Sequence, residues 1–141
     1  MNTKPILGML LGDGAGVGAE IIAKLAASGF YDEYCRPVVI GDARIFQRGA
    51  EICGLEIPMQ VISRVEDADW SKGIPVLDQR DLDPEEVPYA QINVKSGQAC
   101  LDMLRTGIEL YKDGKIEGFC FAPLNKQAMI KAGCPFESEH H

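Results

Sequence analysis

Short, nearly uncharged apolar runs alternate with longer amphipathic stretches along this chain, and few folds accommodate that alternation. Ile6 to Leu11 reads as a buried strand. Val17, Ile21, Ile22 and Leu25 then fall on one helical face, with Gly29 as the stop. Val38 to Ile40 reads as a second strand. Asp42 can cap a helix that carries Ile45, Phe46, Gly49 and Ile52 and ends at Gly54. Gln60 to Val65 and Ile74 to Leu77 read as further strands, the first with β-type alternation. Ser96 opens a long helix with Cys100, Leu104, Ile108 and Tyr111 along one stripe, closed by Asp113-Gly114. Ile116 to Ala122 is another strand, ended by Pro123, and Asn125 can cap a last helix, Lys126 to Ala132, with Gly133 past its end. Strands alternating with helices in this way predict an α/β fold, a mainly parallel sheet with helices on both faces.

Composition narrows the function classes. A length of 141 residues fits one domain, and 46% hydrophobic with 25% charged residues supports a packed core. The net charge of −7 argues against nucleic acid and anionic membrane as partners, because both need clustered Lys and Arg. No apolar run approaches the roughly 20 residues of a membrane span. The run Ile6 to Leu11 is broken by Gly12-Asp13, so it reads as a strand and not as a signal peptide. Five cysteines without a CxxC pair argue against a disulfide framework or zinc ribbon. Reduced thiols, mostly small core residues, and a cytoplasmic location are expected. Residues 78–90, rich in Asp and Glu around Pro84 and Pro88, read as an exposed acidic loop.

Three segments carry candidate chemistry. In Gly12-Asp13-Gly14-Ala15-Gly16-Val17-Gly18, the glycines permit a sharp strand-to-helix turn and a close ligand approach to main-chain N–H groups. The spacing does not match GxGxxG, and tight packing of helix on strand explains the glycines equally well. Asp13 is not needed for such packing. In Pro123-Leu124-Asn125-Lys126, Lys126 offers a point charge to a phosphate or carboxylate. Asn125 serves either as its orienting partner or as a plain N-cap. A lysine in the first turn of a helix is electrostatically disfavoured, which makes Lys126 the more telling of the two. In a parallel sheet both segments leave the carboxyl ends of strands, where open α/β sheets bind ligands. The third segment is Glu137-Ser138-Glu139-His140-His141. It holds both histidines of the chain, which fits substrate or metal contact, a flexible end, or the remnant of a purification tag. No internal Ser–His or Cys–His arrangement can be built.

These motifs resemble the 4-hydroxythreonine-4-phosphate dehydrogenase family. Gly12 to Glu20 is similar to the family's Gly-Asp-Pro-Ala-Gly-(Ile/Val)-Gly-Pro-Glu opening, and Ala122-Pro123-Leu124-Asn125-Lys126 to its Pro-Leu-Asn-Lys motif. Gly41-Asp42-Ala43, Ser96-Gly97 and Ala132-Gly133-Cys134-Pro135-Phe136 fall in the expected order. The resemblance implies an isopropylmalate-dehydrogenase-like first lobe over residues 1–141, with 127–141 starting the crossing to a second lobe. It implies oxidation of a secondary alcohol by NAD or NADP, often followed by decarboxylation. A divalent metal (Zn, Mg, Mn or Co) would act as Lewis acid, and the enzyme would be a cytoplasmic homodimer that takes a hydroxy-acid or phosphorylated substrate. The family's pyridoxine-pathway members set this pattern.

The departures are specific. Gly14 and Ala19 stand for two prolines, and Phe121 stands for the usual Thr. Glu139 and His140 occupy the register of the family's substrate-holding His and Thr; with one residue inserted, His140 takes the His place instead. A carboxylate at 139 repels a phosphate, which favours another of the family's substrates. The metal-ligand histidines and nicotinamide segments of the family are expected beyond residue 141. The expectation is therefore the N-terminal fragment of a larger enzyme, inactive alone. A non-catalytic α/β binding or scaffold module, and a fragment of an isopropylmalate-type enzyme, are the competing readings; Pro-Leu-Asn-Lys argues against the latter.

Overall fold

The computed structural model describes residues 4–11, 18–80 and 94–121. β1 (Ile6–Leu10) is followed by α1 (Gly18–Ala27), α2 (Phe30–Tyr34), β2 (Arg36–Gly41), α3 (Ala43–Ile52), β3 (Met59–Ile62), β4 (Ile74–Asp78), α4 (Val94–Lys112) and β5 (Gly118–Phe121). The five strands form one sheet in the order β3-β4-β2-β1-β5, and every pairing is parallel. The expected α/β architecture is therefore present. A two-residue periodicity divides β1 between the faces: Leu7 and Met9 face α1, while Leu10 lies against Gly107 of α4. α1 and α3 pack together on the first face, and α4 covers the second.

β2 shows why this sheet is central. Val38, Val39 and Ile40 are all fully buried, the continuous apolar run expected of a strand covered on both faces. Phe46 of α3, Leu10 at the end of β1 and Leu11 just after it are nearly as inaccessible, each side chain contributing about 1.5–3 kcal/mol of burial. Among the described residues no helix is long and apolar enough to cross a membrane.

Several boundaries differ from the sequence expectation. The strand expected over Gln60 to Val65 stops at Ile62, and Val65 begins a 3₁₀ turn that Asp67 ends. α2 was not signalled, because a five-residue helix has too little periodicity to read. The buried stripe of α4 runs through Cys100, Met103 and Gly107, whereas Ile108 and Tyr111 are exposed. The observed stripe is rotated from the expected one: Gly107 faces Leu10 and Phe119, while Ile108 and Tyr111 lie towards solvent. Ile21 and Ile52, expected on core faces, are also exposed. Of the described cysteines, Cys35 and Cys100 are buried, Cys53 is half-buried and Cys120 is exposed, and all four are free thiols. The helix expected over Lys126 to Ala132 and most of the acidic loop fall outside the described residues.

Candidate functional site: the carboxyl edge of the sheet

Because all five strands run the same way, their carboxyl ends share one edge. α1, α3 and α4 all begin at that edge, so three helix N-termini meet there, and the first amides of α3 are already taken up by Asp42 and Asp78. β1 and β5 are neighbours, with Leu10 paired to Phe121. The chain thus enters the Gly-rich segment and the Pro-Leu-Asn-Lys segment from adjacent strand ends. Gly18 starts α1 and is buried. Asp13, Gly14, Gly16, Asn125, Lys126, Glu139 and His140 lie outside the described residues.

The edge between β2 and β4 is built in detail. The chain leaves β2 into α3 on one face of the sheet, and leaves β4 towards α4 on the other. Two adjacent parallel strands whose connections diverge to opposite faces form a topological switch point, the usual ligand crevice of open α/β sheets. Asp42 ends β2 and caps α3. It is 2% exposed, its Oδ1 accepting from the Arg44 amide (2.9 Å) and Arg44 Nε (3.0 Å) and its Oδ2 from Arg44 Nη2 (2.9 Å). The cap was legible in sequence; the ion pair to a half-exposed arginine was not.

β4 ends in a two-sided clamp that sequence reasoning missed. Asp78 points to the α3 side, where its Oδ1 accepts from the Ala43 amide (3.0 Å) and from the Arg80 amide (3.0 Å). Gln79 points to the α4 side and donates through Nε2 to the Thr106 hydroxyl. Its own amide donates to the Gly41 carbonyl (3.0 Å), which joins β4 to β2 at the edge. Gln79 Oε1 is buried and has no hydrogen-bond partner among the described residues. Arg80 follows with φ of 53°, a left-handed conformation that costs a non-glycine residue on the order of 1–2 kcal/mol. The signal that could have found this clamp was position: polar residues directly after an apolar strand in a parallel fold.

α4 supplies one wall of the edge. Met103 reaches Gly41 and lies beside Leu11 at the strand ends. The nine residue steps from Val94 to Met103 rise about 13 Å, so the first turns of α4 stand beyond the sheet. Two concavities lie elsewhere. One of about 230 Å³ sits at the amino ends of β2 and β4, beside Pro37, Trp70 and Ile74. An apolar groove of about 280 Å³ runs along α1 and α2 on the flank of β1 and β5, with Ile21, Phe30, Tyr34 and Cys120 on its walls. Neither lies at the edge where the helices begin. Among the described residues no group of three His, Cys, Asp or Glu could hold a metal ion, so none is assigned to one.

A parallel sheet covered on both faces, with helix N-termini and a switch point at its carboxyl edge, defines an open α/β lobe whose candidate ligand crevice lies at that edge. Residues 33–141 match the family described as pyridoxal phosphate biosynthetic protein PdxA, and the chain belongs to that family. A relative from Oceanobacillus iheyensis, provisionally named for D-threonate 4-phosphate dehydrogenation, is 39% identical over 136 residues; these span 94% of this chain and 40% of the relative. The D-threonate 4-phosphate dehydrogenase of Cupriavidus necator is 32% identical over 132 residues, again 94% of this chain and 40% of that one. The crystal structure of a 4-hydroxythreonine-4-phosphate dehydrogenase from Burkholderia phymatum superposes with a TM-score of 0.90 at 34% identity, over 99% of this chain and 42% of that one. The chain therefore spans about two fifths of the length of the relatives it matches.

Proposed function

We propose that this chain is the N-terminal lobe of a dehydrogenase that oxidises a secondary alcohol on a phosphorylated four-carbon hydroxy acid of the 4-hydroxythreonine-4-phosphate type. The observation that carries the reading is the match of nearly the whole chain to relatives named for dehydrogenating such compounds. The hydride acceptor is NAD or NADP. A divalent metal would supply Lewis-acid polarisation of the alcohol oxygen, with none of the described residues assigned to hold it, and decarboxylation would follow in many cases. The working enzyme is a homodimer in the cytoplasm.

The roles of this lobe follow from its edge. The turn with Asp13, Gly14, Gly16 and Gly18 offers main-chain N–H groups at the start of α1. Lys126 supplies charge to an anionic group, and Asn125 orients it. With a phosphorylated substrate, the register that gives His140 the place of the family's substrate-holding histidine is the consistent one, because Glu139 against a phosphate is repulsive.

The test is spectrophotometric. The longest product of the reading frame is purified, and reduction of NAD and of NADP is followed with D-threonate 4-phosphate and with 4-hydroxythreonine 4-phosphate. Chelator and added divalent ion complete the comparison. Metal-dependent reduction with either compound is expected. No reduction under any combination sinks the proposal and leaves a binding module.

A further inference from the structure

Gln79 Oε1 is the single buried side-chain oxygen or nitrogen without a hydrogen-bond partner among the described residues, and it sits at the switch point. A buried carbonyl without a donor destabilises the fold, while a leucine or methionine of similar length carries no such penalty. The amide is also held in place. Its backbone N–H is fixed to Gly41 and its Nε2 to Thr106. The adjacent Arg80 is kept in a left-handed conformation by Asp78, which also holds the start of α3. Both flanks of the crevice are therefore tied by hydrogen bonds, and one positioned acceptor is left over among the described residues. Preorganised, unfulfilled acceptors and backbone strain at a strand end are features of ligand sites.

We infer that Gln79 contacts the ligand at this edge, its Oε1 accepting a hydrogen bond from a hydroxyl group of a bound phosphorylated small molecule. The inference rests on the dehydrogenase reading. That reading supplies two sources of the same chemistry, the hydroxy-acid substrate and the ribose of the nicotinamide nucleotide. Thr106 is the positioning residue, since it acts through the amide it holds.

The test separates ligand contact from a structural role. Thermal unfolding of the longest product of the reading frame, the same protein as in the activity assay, is measured with D-threonate 4-phosphate, with NAD, and with neither, for the wild type and for Gln79→Met and Gln79→Leu. Removing the orphaned carbonyl leaves the unliganded midpoint unchanged or higher in at least one variant. Affinity for one probe falls about tenfold, the worth of one hydrogen bond, and the affected probe identifies the source. Unchanged affinity for both probes overturns the inference. So does a lower unliganded midpoint in both variants with affinity retained, because Oε1 then serves the fold, for instance through a buried water. If neither compound shifts the wild-type midpoint, the dehydrogenase reading is what fails for this chain, and the Gln79 assignment falls with it.

Discussion

Gly49 of α3 lies so close to Ala19 of α1 that a Cβ on it would sit 2.6 Å from the Ala19 Cβ and 2.8 Å from the Ala19 carbonyl carbon. The two helices touch backbone to backbone, and that contact fixes the first turn of α1, which follows the Gly-rich segment. Gly49→Ala gains about 1 kcal/mol of helix propensity. It must also push α1 off the sheet, and overpacking of this kind costs about 1–3 kcal/mol. The neighbours here are the Ala19 Cβ and backbone atoms, none of which can rotate away, so the overpacking wins. The variant is expected to unfold at lower urea concentration than the wild type. A neutral or stabilised Gly49→Ala would show that α1 and α3 part freely.

Asp42 combines two roles that substitution can separate. It caps α3 through the Arg44 amide and pairs with the Arg44 guanidinium. Asp42→Ala removes both and is expected to cost about 1–2 kcal/mol, mostly from the lost cap. Asp42→Asn keeps the cap and weakens only an ion pair whose arginine is half exposed, a change worth less than about 1 kcal/mol. Denaturant titration of both variants decides the matter. Equal losses would make the ion pair, and not the cap, the larger contribution.

What the sequence revealed and what it hid follow from the range of the interactions. β1, β2, β4 and β5 were readable because each is a short apolar run, most completely buried in β2 and β4, and Asp42 was readable because capping is local. Strand order was not, since nothing in a single strand states that β4 inserts beside β2 and ahead of β3. The side of α4 that meets the sheet was misjudged for the same reason: Gly107 invites contact only once Leu10 and Phe119 are opposite it. At the candidate site, the Gly-rich and Pro-Leu-Asn-Lys motifs declared themselves through composition, and of their named residues only Gly18 falls among those described. Asp78, Gln79 and Arg80 carry no motif. Their meaning comes from lying at a strand end between two helices that leave on opposite faces, which is a property of topology and not of spacing.

Tyr31 makes the stability of this lobe depend on alkaline pH. Its side chain is 7% exposed, and burial raises its pKa from 10.0 to about 12, with Cys120 and Cys35 adding to the rise. Below pH 10 the phenol keeps its proton in both states and contributes no slope. Between pH 10 and about 12 the unfolded chain releases the proton while the folded chain retains it, so the unfolded state binds fewer protons and stability falls as pH rises. A two-unit shift corresponds to at most about 2–3 kcal/mol across that window. Burial also raises the pKa of Cys35, which gives a decline of the same sign beginning from a lower pH. Tyr31→Phe therefore removes the part of the slope above pH 10 and leaves the cysteine part in place. Urea midpoints of the wild type and Tyr31→Phe, taken in steps from pH 9 to 12, should run parallel at first, and above pH 10 the wild-type midpoint should fall more steeply than that of Tyr31→Phe. Curves that stay parallel throughout would mean that the Tyr31 hydroxyl titrates as it does in water, and that the groove beside α1 and α2 is wet.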